Sequence, residues 1–409
     1  MLQDNTPIYC KLEEIASVLA AQPSSADISL TGGDAGRALF LLYYSRLSKK
    51  EIYLDKAIGL MDDLLVSITQ ADCHPWFAGG LAGVGWLLQH AVDNDFLDAD
   101  VHLLLGEMDE MLFHWMMEEI LNGNHDYLYG ATGVALYFLS KTAVHKKYAH
   151  FVKQFINQLA DQAIEEQEMV KWRAFVLQEG MYPPEAGRDI FNLGLSHGIP
   201  GIAAFLAKAT SHAALAPLSN GLLQKSCRFL QHHMRTPELH GSYFGYLVNG
   251  CGQQGAPARL AWCYGDLGVC TTLWQAGAAL RQESLKAVAL DIARHNATKR
   301  DLAAAQVQDA CFCHGSSGIA HIYHQLHRQT GEALFREAAD FWYGETLAMA
   351  TFEDGLAGYK TYAGTDPRQG NGEWHNMPGL LEGVAGIGLS LVAAVADFEP
   401  AWDEALLLS

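Results

Sequence analysis

The chain has no run rich in Lys or Arg, no C-x-x-C pair, no Pro/Gly/Ser-dense linker and no apolar stretch long enough to span a membrane. Each absence excludes something. With 27 basic against 46 acidic residues the net charge is −19, and such a surface repels a phosphate backbone, so nucleic acid is not an expected partner. Eight cysteines without paired spacing, in a chain of 409 residues, argue for reduced thiols rather than a disulfide framework. For Cys10, Cys73, Cys227 and Cys270 core packing is the expectation. The longest uncharged apolar stretch, residues 383–396, falls short of the ~20 residues a transmembrane helix needs. The opening MLQDNTPIYCKLEE lacks the basic and apolar regions of a secretory signal, so the cytoplasm is the expected compartment. Without a linker, residues 1–409 are expected to form one domain, although length alone allows two or three.

What is present is apolar and repetitive: 50% of residues are hydrophobic and only 18% charged, enough to bury a large core. A G-x-x-G pattern recurs seven times, as GDAG at Gly33, GLAG at Gly80, GATG at Gly130, GIPG at Gly198, GDLG at Gly265, GSSG at Gly315 and GVAG at Gly383. Each leads into a segment such as VALYFLS or IGLSLVAAVA, mostly apolar nearly all round, as in a helix buried on every side. The repeats are 47 to 68 residues apart, which leaves room for a second helix in every unit. Amphipathic stripes supply it: Leu54, Ala57, Ile58, Met61 and Leu65 share one face, and similar patterns lie around Leu103–Leu121, Tyr148–Ala163 and Leu334–Met349. The first and last units are as apolar as the middle ones, which favours a closed ring over an open solenoid with capping repeats. The expected fold is all-α: an α/α toroid of seven inner helices inside seven outer ones. Residues 172–192 and 355–378 read as loops at its mouth.

Equivalent turns make positions comparable between units. One residue before the first glycine the units carry Gly32, Gly79, Tyr129, His197, Tyr264, His314 and Glu382; two before it they carry Thr31, Ala78, Leu128, Ser196, Cys263, Cys313 and Leu381. Cys263 and Cys313 thus share a frame position in adjacent units, with His314 beside the second. Two thiolates and an imidazole suit Zn²⁺, and three protein ligands leave a fourth place open for an incoming thiol. Cys311 breaks the frame and is left out of the ligand set. His197, on the same rim, is placed to act as an acid or base. The row His321, His324, His327 winds around its helix away from the turn and is not read as a metal site.

The segments DYLYGATG, GLSHGIPG, RLAWCYGDLG, CHGSSGIA and LLEGVAGIG, in that order along the chain, resemble the lanthionine synthetase C-like cyclases over nearly its whole length. The resemblance implies zinc on Cys263, Cys313 and His314, and further active-site roles for His197, Arg259, Tyr264 and Asp126. It implies addition of a peptide cysteine to a dehydroalanine or dehydrobutyrine of the same peptide. A dehydrated precursor peptide is the implied substrate, with a dehydratase and an exporter as associated proteins. Asp126 either orients His197, assists thiol deprotonation, or simply caps the turn near Tyr129. Two alternatives stay open: addition of glutathione or another thiol to dehydrated residues, and a zinc-stabilised peptide-binding scaffold without turnover. A prenyltransferase lacks its basic diphosphate pocket here, and a glycosidase would rely on Glu382 and Asp126 as paired rim carboxylates. Some family members carry a β insertion, for which only the stretch near Trp172–Pro184 offers space.

Overall fold

The computed structural model describes residues 5–70, 73–175, 189–363 and 372–409. Two concentric rings of helices form an α/α toroid. The inner helices are Asp34–Ser48, Leu81–Asp93, Ala131–Ser140, Ile199–Thr210, Asp266–Ala279, Ser316–Thr330 and Val384–Val395. The outer ones are Thr6–Ala21, Glu51–Gln70, Gly106–Leu121, Lys146–Asp161, Ala216–His232, Glu283–Ala297 and Ala333–Ala348. No helix among the described residues is long and apolar enough to cross a membrane.

Every inner helix takes the first glycine of its G-x-x-G as N-cap. The second glycine answers a steric demand. A Cβ at Gly36, Gly83, Gly133, Gly201, Gly268, Gly318 or Gly386 would lie no more than 2.5 Å from the carbonyl oxygen of Leu30, Phe77, Tyr127, Leu195, Trp262, Phe312 or Leu380 respectively. In each case that carbonyl is six residues upstream, so the loop folds back across the first helical turn and only glycine lets the backbones meet.

The ring is stitched by main-chain hydrogen bonds between equivalent residues. The N–H of Thr31 donates to Ala78, Ala78 to Leu128, Ser196 to Cys263, Cys263 to Cys313, Cys313 to Leu381, and Leu381 back to Thr31, over 2.8 to 3.3 Å. Last unit bonds to first. The joint between Leu128 and Ser196 lacks this bond, and there a side-chain pair crosses instead: His197 Nδ1 lies 2.7 Å from Asp126 Oδ2.

Outer helices bury one face, Tyr53, Ala57, Leu60, Met61 and Leu64 on Glu51–Gln70, with Leu54, Ile58 and Leu65 half-buried at its edge. The expected stripe is therefore rotated slightly. The seventh pair departs from the expected order, because the chain's first helix, Thr6–Ala21, packs against its last inner helix, Val384–Val395. The expected helix around Leu103–Leu121 is broken at Leu105 into Val101–Leu104 and Gly106–Leu121. Cys227 and Cys270 are core residues as expected, whereas Cys73 is half-buried and Cys10 lies on an exposed face.

The last residues enter the inner ring. Trp402, Asp403, Leu406 and Leu407 are fully buried or nearly so. Trp262 Nε1 donates to Leu406 O at 2.9 Å, Tyr127 Oη donates to Ala405 O, and His321 Nε2 pairs with Asp403 Oδ2 at 2.7 Å. Three short antiparallel strand pairs interrupt the helical pattern: Ile164–Glu166 with Met169–Lys171, Thr361–Ala363 with Glu373–His375, and, joining the loops of two successive units, Ile190–Asn192 with Leu247–Asn249. The strand at Leu247–Asn249 comes from a segment that carries no strand signal in the sequence, so β structure is not confined to the stretch before Asn192. Pro183 and Pro184, and Gly364 and Gly370 of the second long loop, lie outside the described residues.

These contacts separate two kinds of glycine. Gly318→Ala should destabilise the protein by about 2 to 3 kcal/mol, because neither backbone can move aside. Gly344→Ala, on an outer helix with nothing within 4 Å of the added carbon, should stabilise it by about 0.5 to 1 kcal/mol. Urea denaturation of both variants checks the contrast.

Candidate metal centre and active site

The loops before the inner helices share a construction that places the side chains. Six residues before the first glycine, Asp27, Asn124, Asn192 and Asp309 each accept the N–H two residues on, over 2.7 to 3.3 Å, closing an Asx turn. Unit five carries Arg259 at this position, which turns its guanidinium over to the cavity. Arg259 Nε is buried with no partner among the described residues.

A cavity of about 400 Å³ opens at this rim, lined among others by His197, Arg259, Cys263, Tyr264, Cys313 and His314. Six of the seven expected site residues meet there. The ligand atoms of Cys263, Cys313 and His314 all lie within 4.8 Å of one another. Bonds of about 2.3 Å to sulfur and 2.0 Å to nitrogen put tetrahedral donors roughly 3.5 to 3.8 Å apart, so the set can close on one ion with a small movement. The thiols already interact: a hydrogen bond from Cys313 lowers the Cys263 pKa to about 6 against the effect of burial, helped by His314, Arg259 and His197. Cys313 is pushed up in turn by the same bond and by burial. A pair that holds one negative charge this readily matches the electron-rich, sulfur-dominated donor set that suits zinc.

Asp309, Cys311 and His314 form a second grouping with the same closeness. Its carboxylate is already engaged, Oδ1 by the N–H of Cys311 at 3.0 Å and Oδ2 by that of Tyr362 at 2.8 Å. Cys311 is 1% exposed, and burial holds its thiol well above the usual range. The grouping therefore reads as a brace behind the first. Asp309 Oδ2 lies 3.7 Å from His314 Nε2, close enough to orient the ring.

Asp126 does not line the cavity. It is 3% exposed behind His197, with Oδ2 facing the imidazole and Oδ1 accepting the Tyr129 N–H at 2.8 Å. Both expected uses, orienting His197 and capping the turn, are served at once by different oxygens. Burial favours the neutral form of His197, but the Asp126 carboxylate and its hydrogen bond, with Cys263 behind them, outweigh it and raise the pKa. Tyr264 is held by packing: a Cβ on Gly194 would overlap its ring, and Asn192 Nδ2 donates to its hydroxyl at 3.1 Å. The row of histidines plays no part here. His321 pairs with Asp403, and burial drives His324 down to about 3.

Sequence reasoning missed Asp309, Tyr246 and Tyr362. Asp309 was available from the Asp or Asn that stands six residues before the first glycine in four of the seven units. Tyr246, just before the strand Leu247–Asn249, and Tyr362, in the strand Thr361–Ala363, reach the cavity from segments that no repeat marks.

Fold and site together define a class: a seven-over-seven α/α toroid carrying a two-cysteine, one-histidine cluster in a rim cavity. The chain belongs to the family of lanthionine synthetase C-like proteins, whose family model matches residues 24–407. Among solved structures it is similar to nisin cyclase, with 19% identity, coverage of 98% of this chain and 97% of that one, and a TM-score of 0.75. A sugar epimerase from a ruminal bacterium matches at 9% identity over 96% of this chain and 100% of that one, with a TM-score of 0.48. No curated protein matches the sequence significantly.

Two outcomes are expected. Cys313→Ala should abolish tight binding of added zinc or cobalt while the helical circular dichroism is retained, as metal analysis after dialysis would register. Asp126→Asn should move the His197 titration, followed by NMR, to lower pH, since burial then acts without its counterweight.

Proposed function

We propose that this protein is a zinc-dependent lanthipeptide cyclase that joins a peptide cysteine to a dehydroalanine or dehydrobutyrine of the same chain, leaving a thioether ring. The observation that carries the reading is the meeting of Cys263, Cys313 and His314 in the wall of the cavity that also presents His197. A zinc ion on these three ligands supplies a fourth coordination place and lowers the pKa of a thiol that takes it.

The protein's own groups then have separable tasks. As sulfur bonds to the β-carbon, the π electrons of the dehydro residue shift toward the α-carbon and its amide oxygen. Arg259, with its unpartnered Nε, and Tyr264 are the donors available for that oxygen. His197, whose protonated form Asp126 favours, delivers a proton to the α-carbon. Asp126, buried behind the ring, is a positioning residue. The thiol's proton leaves to solvent and atoms balance, so the product has the mass of the substrate. Holding both reacting ends in one cavity makes the addition unimolecular. The substrate's dehydro residues require a preceding dehydration of Ser or Thr, which is the reaction a partner dehydratase would supply.

The test is a dehydrated peptide incubated with zinc-loaded protein. Free thiol should disappear with no change in mass, and His197→Asn should slow this by about 10² to 10⁴-fold while metal content is retained. A mass gain equal to an added thiol would assign the protein to intermolecular thiol addition, and peptide binding without loss of thiol would leave a scaffold.

A further inference from the structure

The rim is uneven. Units three to seven present Tyr129, His197, Tyr264, His314 and Glu382 one residue before the first glycine, whereas units one and two present Gly32 and Gly79. A Cβ on Gly79 would meet nothing nearer than the edge of Trp76 at 3.9 Å, so the wall is low and open there, whereas one on Gly32 would crowd Ser29 Oγ at 3.2 Å and Asp27 Oδ2 at 3.3 Å.

Aromatic rings lead from the cavity to this gap. Tyr246 and Tyr264 lie 5.3 Å apart between centroids, Tyr264 and His197 6.3 Å, and Tyr129 stacks on His197 at 5.9 Å with 12° between planes. Beyond the cavity lining, Trp76 meets Tyr129 edge-on at 5.3 Å, and His74 stacks on Trp76 at 4.1 Å and 3°. Trp76 is not needed by the core, since its neighbour Phe77, 1% exposed, fills that role. Its indole is left half-buried at the mouth, braced on both sides and facing the gap. Asp27, exposed, flanks the gap across from it: its Oδ2 lies 3.3 Å from the Cβ position of Gly32.

We propose that this aromatic row is a peptide track, and that Trp76 binds the part of the substrate that lies outside the ring being closed as that chain leaves the metal site through the gap at Gly79. The inference rests on the cyclase reading for the identity of the substrate. A cyclase must grip a chain longer than the ring it closes, so the cavity needs an exit, and Gly79 leaves the rim open beside the end of the aromatic row. Rigid aromatic faces bind a flat, extended backbone at low entropic cost. Aliphatic and basic side chains suit the track best, because Lys and Arg stack on indole, and Asp27 and the −19 charge of the chain favour a cation.

The probes are synthetic peptides with one cysteine and one dehydroalanine, made with and without a Lys- and Leu-containing extension, and a serine-for-cysteine copy of the extended form that cannot react. Trp76→Ala should weaken binding of the unreactive extended peptide, read by fluorescence anisotropy, by roughly tenfold, and raise its reactive counterpart's KM similarly. The kcat, the zinc content and the behaviour of the short peptide should not change. Gly79→Leu, which fills the gap, should act in the same direction. Unchanged binding of the extended peptide, or equal losses for short and extended forms, would overturn the track. If the wild-type protein grips the unreactive peptide through Trp76 yet closes no ring, the track stands and the cyclase reading falls.

Discussion

The annulus of main-chain hydrogen bonds at the rim is the constraint on which the rest depends. Each links residues in the same place of successive units, and the bond from Leu381 to Thr31 closes the circle. Except at the Leu128–Ser196 joint, a residue on this circle has its backbone held from both sides, so the units differ there chiefly in side chain. The Cys263 N–H bonded to the Cys313 carbonyl at 3.3 Å brings two sulfurs from distant sequence positions into one wall. The glycines serve the annulus, because a Cβ at the second of each pair would force the loop off the helix.

A rigid circle with variable side chains divides labour around the rim. Units five and six hold the soft donors, unit four the ionisable His197, and unit five a cation where four other units spend the same position on an Asx turn. The one joint without a backbone bond is crossed by Asp126 and His197, so the pair that sets the imidazole's charge also helps to complete the ring. From below, the C-terminal segment packs on Trp262 and Phe312, the residues just before the two cysteines.

Much of this is legible in residue order. A glycine pair recurring ahead of apolar segments reports inner helices, and two cysteines at one frame position report that they meet. Less is legible where the contact is not repeated. Tyr246 arrives beside a strand that pairs across two units and Tyr362 on a strand inserted into one, Thr6–Ala21 completes the seventh pair from the far end of the chain, and the rotated stripe of Glu51–Gln70 depends on how neighbouring helices dock. Local periodicity carries no record of a partner hundreds of residues away.

Sequence by itself determined the sevenfold repeat, the all-helical ring and the identities of the cluster residues, because steric need for glycine and burial on every side leave a periodic trace. Only the tertiary structure decided that Asp126 stands behind His197 and not in the cavity, that Asp309 braces His314 while Cys311 stays buried, and that the rim is open at Gly79. Those outcomes depend on where side chains point after the ring has closed, and closure is a contact between the two ends of the chain.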